Sequence, residues 1–115
     1  MYYFYIILSI GGRVGFGITK NYYERNKQYA SHSGDIVLFV RLYAGSETHA
    51  NALESIIKKQ YVDNLWWVDD WKTEWLNKDI SLEVFEKHVE NLIQDRHMKL
   101  TLLAKDYNFT QELVS

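Results

Sequence analysis

The sequence contains no cysteine, which excludes disulfide staples, thiolate metal centres and cysteine nucleophiles together. Such a chain needs no oxidising compartment, and a cytoplasmic setting is the expectation. Long apolar runs are also missing. No stretch approaches the roughly 18 residues that a membrane-spanning helix requires, and no basic start precedes an apolar signal core. A soluble protein with no membrane partner is therefore expected. Nor is there a strong charge of one sign: 13 basic and 15 acidic residues leave a formal net charge of −2. A uniformly basic nucleic-acid binder is thereby excluded, and any polyanion site has to be local.

The 115 residues present suffice for a single domain, 1–115, with a core of its own. Their charge is uneven. Residues 1–45 hold Arg13, Lys20, Arg25, Lys27 and Arg41 against Glu24 and Asp35, a net of +3, whereas residues 46–115 carry −5. The basic excess reads either as a phosphate-binding face on the N-terminal part or as chance asymmetry in a small chain.

Tyr2 to Ile10 is rich in aromatic and β-branched residues, as in a strand covered on both faces. Gly11-Gly12 supplies a hairpin turn, and Arg13 to Thr19 returns as the antiparallel partner. Gly15 and Gly17 inside that second strand mark a close approach to the backbone, either by a phosphate or by a helix packed over a bulge. Asn21 as N-cap with Glu24 three residues on predicts a helix from about Tyr22 to Ala30. Tyr22, Arg25 and Tyr29 then share one face, and a planar guanidinium between phenols suits a phosphate. A solvated arginine, or one paired with Glu24 or Asp35, is the structural alternative.

Ile36 to Ala44 is the strongest strand pattern, expected at the sheet centre. Ser46 or Thr48 caps a second helix reaching about Tyr61, with Ala50, Leu53, Ile56 and Ile57 as its buried stripe. Glu54 falls at the edge of that stripe, able to be held firmly and still reach a metal. Mg²⁺ needs only one or two protein carboxylates plus waters and substrate phosphate, although a lone helical glutamate is more often a surface residue. Leu65 to Leu76 holds all four tryptophans with three carboxylates. Base stacking and a second metal at Asp69-Asp70 compete there with the favoured reading, closure of the core. From Ser81 a long amphipathic helix is expected, with Leu82, Phe85, Val89, Leu92, Ile93, Leu100 and Leu103 at helical spacing. His88 and His97 lack partnered metal-ligand spacing and read as solvated. Residues after Lys105 show no period and read as a loosely docked tail.

The order of these pieces resembles the GIY-YIG endonuclease superfamily, in particular its compact phage and restriction-associated branch. Tyr3-Phe4-Tyr5 stands where that family has Gly-Ile-Tyr, and Gly15-Phe16-Gly17 where it has Tyr-Ile-Gly. Thr19 closes the segment, Arg25 matches the helical arginine, Tyr29 replaces a frequent histidine, and Glu54 matches the metal-binding glutamate. Thr73-Glu74-Trp75-Leu76 echoes a late Glu-Trp-Phe segment. About half the chain is covered. The resemblance implies an α+β fold with a small central antiparallel three-stranded sheet flanked by helices, plus an extra C-terminal helix. It also implies Mg²⁺-dependent hydrolysis of DNA, with Mn²⁺ as a substitute ion, and a phage or mobile-element origin. Tyr5, Arg25, Glu54 and Tyr29 would be catalytic, with Glu54 on the metal. Arg13, Lys20, Lys27, Tyr22, Gly15 and Gly17 would meet DNA, and a homodimer could cut both strands. Gly15 departs from the pattern by removing the second motif tyrosine. Either Tyr22, Tyr23, Tyr29 or a lysine replaces that phenol, or the chain is a cleavage-inactive DNA-binding or nuclease-regulating protein. An inhibitor whose acidic C-terminal part mimics DNA, and an unrelated α+β enzyme, remain further readings.

Overall fold

The computed structural model describes the backbone of residues 1–32, 37–68 and 72–107, and the side chains of all of these except 30–32 and 104–107. Strand β1 (Tyr2–Ser9) turns through Gly11-Gly12 into β2 (Val14–Thr19). Ser9 N–H donates to Arg13 O at 3.0 Å, and Gly12 takes a φ of +85°, open to glycine at little cost. The hairpin register places Tyr5 opposite Gly17 and Ile7 opposite Gly15.

Helix α1 (Tyr22–His32) follows, then β3 (Val37–Gly45) and α2 (Glu47–Gln60). Both helices begin at the expected caps: Glu24 N–H donates to Asn21 Oδ1 at 3.2 Å, and His49 N–H to Ser46 Oγ at 3.2 Å. A 3₁₀ turn, Val62–Asn64, leads into the short strands β4 (Leu65–Val68) and β5 (Glu74–Leu76). Helix α3 (Leu82–Asp95) and strand β6 (Leu100–Tyr107) complete the described chain. Ile36 and the Asp69-Asp70 pair, named above as strand start and candidate second metal site, lie outside the described residues, as do Trp71 and the tail beyond Tyr107.

The class is α+β, but the sheet has six antiparallel strands, in the order β4-β5-β2-β1-β3-β6, and not three. The hairpin and β3 form its middle, while β5 pairs onto the free edge of β2 and β6 onto that of β3. The expected long C-terminal helix is corrected accordingly. It stops at Asp95, His97 takes a left-handed φ of 51°, and Leu100 onward pairs with β3. Leu100-Thr-Leu-Leu suits either period, and the unpaired hydrogen-bonding edge of β3 decides for strand.

Alternation along β1 divides the apolar residues between two cores. Phe4 and Ile6 pack with Phe16, Leu53, Ile57, Phe85 and Val89, under α2 and α3. Tyr5 and Ile7 pack with Tyr29, Phe39, Leu42 and Trp75, under α1. Among the three described tryptophans the core reading holds for Trp75 only. Trp66 and Trp67 are 56% and 52% exposed on β4, an edge strand with no further element over it among the described residues. No described helix is long and apolar enough to cross a membrane.

Candidate functional site

The end of β2 sets the geometry around Arg25. Thr19 Oγ1 accepts from Asn21 N–H at 3.1 Å and donates to Asn21 O at 3.1 Å, so strand and helix join through one tight polar turn. Arg25, on the first turn of α1, then reaches back to donate from Nη2 to Ile18 O at 3.4 Å. Its Nε and Nη1 are buried and meet no acceptor among the described residues. A cleft of about 630 Å³ opens here, lined by Thr19, Lys20, Arg25, Gln28, Asn51 and Lys72, with Glu24 and Glu47 also on its wall. Three cations and two carboxylates thus line one concavity, a balance of one positive charge that favours an anion. Lys72 holds a left-handed φ of 64°, costing about 1 kcal/mol for a residue with a Cβ.

Behind that wall lies a second polar cluster. Glu54 and Lys58 stand four residues apart on α2, and Glu74 joins them from β5. Glu74 pairs with Phe16, whose ring belongs to the core under α2, so the carboxylate points to the same side of the sheet. Lys58 Nζ lies 3.5 Å from Glu54 Oε1 and 3.0 Å from Glu74 Oε1. Glu54 is 6% exposed and Glu74 3%, and the Oε2 atom of each is buried without a donor. An unsatisfied buried acceptor costs on the order of 1–3 kcal/mol. Burial raises the pKa of Glu54 above its usual value, and the nearby Lys58 and Lys72 charges offset this only in part. Lys58 shows the opposite balance: burial pulls its pKa down, but the hydrogen bond to Glu74 and the two carboxylate charges more than restore it, leaving it raised. Asn51, one turn before Glu54, and Lys72, two residues before Glu74, line the cleft and connect it to this cluster.

The third group is a ring of hydroxyls under α1. Tyr5 is 0% exposed; its phenol hydrogen-bonds Thr73 Oγ1 and lies 3.2 Å from the Tyr29 hydroxyl, which in turn meets Thr73 Oγ1 at 2.6 Å. Three elements, β1, α1 and the entry to β5, are tied at one point.

The residues singled out from sequence therefore separate. Arg25 and Lys20 share the cleft. Tyr5 and Tyr29 meet each other, inside the core and on the opposite side of the sheet from Glu54. Tyr22 packs edge-on against Tyr3 at 5.0 Å, and Lys27 pairs with Glu24 at 3.5 Å in solvent. Arg13 lies at the other end of β2, roughly 20 Å from Lys20 at strand spacing, with its guanidinium 3.7 Å from the Trp66 ring centroid. Arg41, counted in the basic excess, is bound to Glu86 at 2.5 Å. The glycines meet protein and not an open surface. A Cβ on Gly15 would lie 2.9 Å from Trp75 Cε3, and one on Gly17 2.5 Å from the Tyr5 phenol oxygen. Close side-chain packing fills the space beside both glycines. His88 is half-buried and not simply solvated: its Nδ1 shares a hydrogen bond with the Tyr61 hydroxyl at 2.9 Å.

Lys58, Lys72, Thr73 and Glu74 occupy the cleft or the polar clusters beside it, positions to which sequence reasoning assigned no role. The i, i+4 spacing of Glu54 and Lys58 was a visible signal; Glu74 was visible only as part of a motif echo, because its partners come from a distant helix. Glu54 and Glu74 each keep one buried Oε2 without a donor, and oxygen of this kind is the ligand type a hard divalent cation takes, while the described residues hold no cluster of three or more His, Asp or Glu side chains that could bind a metal. No protein-family model matches the chain, and no curated protein or solved structure matches it significantly.

Proposed function

We propose that this protein is a Mg²⁺-dependent DNA endonuclease of the GIY-YIG type, which hydrolyses a phosphodiester bond in the cleft beside Arg25. The observation that carries the reading is the meeting of a three-cation cleft with buried, incompletely paired carboxylates across Asn51 and Lys72. Arg25 would bind the scissile phosphate with its guanidinium, whose Nε and Nη1 have no acceptor among the described residues but lie under cover and would have to turn outward to reach it. Lys20 and Lys72 would follow the adjoining backbone, a contribution that weakens with salt. Glu54 would hold Mg²⁺, which supplies positive charge against the oxygens that become negative as water displaces the 3′ oxygen. Tyr5 is enclosed, so its part is positioning: through Thr73 and Tyr29 it ties β5, which carries Glu74, to α1, which carries Arg25.

A second reading, DNA binding without scission, is favoured by one observation. Trp75 and Ile7 fill the space beside Gly15 where the family's second tyrosine would stand, leaving no phenol there to handle the attacking water. Supercoiled plasmid incubated with the protein in Mg²⁺ or EDTA separates the two. Nicking or linearisation that needs Mg²⁺ and is lost in Glu54→Gln and Arg25→Ala supports the nuclease. Intact plasmid in both Mg²⁺ and Mn²⁺, with a retained gel shift that Arg25→Ala weakens, supports the binding protein.

A further inference from the structure

Glu74 has no part in the reaction as proposed, yet it is the more deeply buried of the two carboxylates. A charge in such a position persists only with a counter-ion against it. One ammonium is in contact with both carboxylates: Lys58 Nζ lies against Oε1 of each, Lys72 acts on Glu54 only from a distance, and both Oε2 atoms remain buried and unpartnered. A divalent cation in the same position would balance both charges and use the oxygens that the ammonium leaves over, since hard cations take several oxygen ligands. The three side chains also differ in freedom. Glu54 and Glu74 are held by a packed helix and an inner strand, whereas Lys58 has a flexible stem and a side chain 37% exposed. The lysine is the member able to leave.

We infer that Glu54 and Glu74 together form a two-carboxylate seat for a divalent metal ion, and that Lys58 is its built-in competitor, filling the seat without metal and turning out to solvent when metal enters. This rests on the reading of Glu54 as a metal ligand and adds to it a second ligand, Glu74, and a regulator of affinity. Lys58 thereby sets a threshold: the site loads only when the free cation outcompetes a tethered ammonium.

Mn²⁺ binding, followed by the loss of the free-ion paramagnetic resonance signal, tests this on the intact chain. Wild type should bind one Mn²⁺. Lys58→Met should bind it about tenfold more tightly or better, and Glu74→Gln and Glu54→Gln about tenfold more weakly or worse. Lys58→Arg, which keeps a cation, should stay near wild type. Thermal melts guard against misfolding: Lys58→Met should melt lower than wild type in EDTA and rise more than wild type when Mn²⁺ is added. Unchanged or weaker Mn²⁺ binding by Lys58→Met would overturn the competitor. Wild-type affinity in Glu74→Gln, with binding lost in Glu54→Gln, would overturn the two-carboxylate seat while leaving the Glu54 reading intact. No Mn²⁺ binding by the wild type would overturn both.

Discussion

Replacing Gly17 by alanine adds one methyl group at the most constrained point of the hairpin. The added Cβ would lie 2.5 Å from the Tyr5 phenol oxygen, 2.7 Å from Tyr5 Cζ and 3.3 Å from Lys72 O. The backbone itself would accept alanine, because Gly12 is the only described glycine at positive φ. The cost is therefore contact. Tyr5 has little room to retreat, with the Phe39 ring centroid at 5.2 Å and its hydroxyl bound to Thr73 and Tyr29. Overpacking of this kind costs about 1–3 kcal/mol. Displacing the phenol adds about 1 kcal/mol for each hydrogen bond lost, and the stiffer unfolded chain returns about 0.5 kcal/mol. A net destabilisation of about 3 kcal/mol follows, read as a lower urea midpoint at unchanged slope. Combining Gly17→Ala with Tyr5→Phe removes the shortest contact, so the double variant should be more stable than the two single losses add up to, by about 1 kcal/mol. A Gly17→Ala protein within about 0.5 kcal/mol of wild type that nonetheless loses DNA binding would refute the packing argument and return Gly17 to a phosphate-facing role.

Three other outcomes are expected. Burial raises the Glu54 pKa above its ordinary 4.5, so the neutral acid favours folding below that value and this stability is lost as pH rises through the raised folded value. Glu54→Gln should therefore gain on wild type in EDTA melts from about pH 4 upward, and a pH-independent difference would show that Glu54 is not held against its charge. Arg41 and Glu86 form an ion pair with side chains only 13% and 17% exposed. Arg41→Met should cost about 3 kcal/mol in chemical denaturation by stranding the carboxylate, and adding Glu86→Leu should recover part of it. Arg25→Ala should weaken duplex DNA binding evenly across sequences and lower the slope of log affinity against log salt by about 1, measured by fluorescence anisotropy; an unchanged slope would remove Arg25 from phosphate contact.

The sequence by itself determined what is local. Aromatic and β-branched runs around Gly11-Gly12 specify the hairpin, and Asn21 and Ser46 specify where the first two helices begin, since each signal acts through residues a few positions apart. The same short range placed Arg25 on the first turn of α1 and Glu54 beside the buried stripe of α2. Local pattern could not decide Leu100 to Tyr107, because an apolar segment of that length serves helix or strand alike, and the free edge of β3 is created only by folding. Nor could it say that Gly15 and Gly17 make room for Trp75 and Tyr5, which requires β5 to pair with β2. The basic excess of residues 1–45 was a true count but a poor map. Tertiary contacts commit Arg41 to Glu86 and Arg13 to Trp66, a local pair within α1 commits Lys27 to Glu24, and the distant Lys72 joins Lys20 and Arg25 at the cleft. Only the tertiary structure brought Glu74 to Glu54 and set one lysine between them, because burial and shared counter-ions depend on chain segments far apart in sequence.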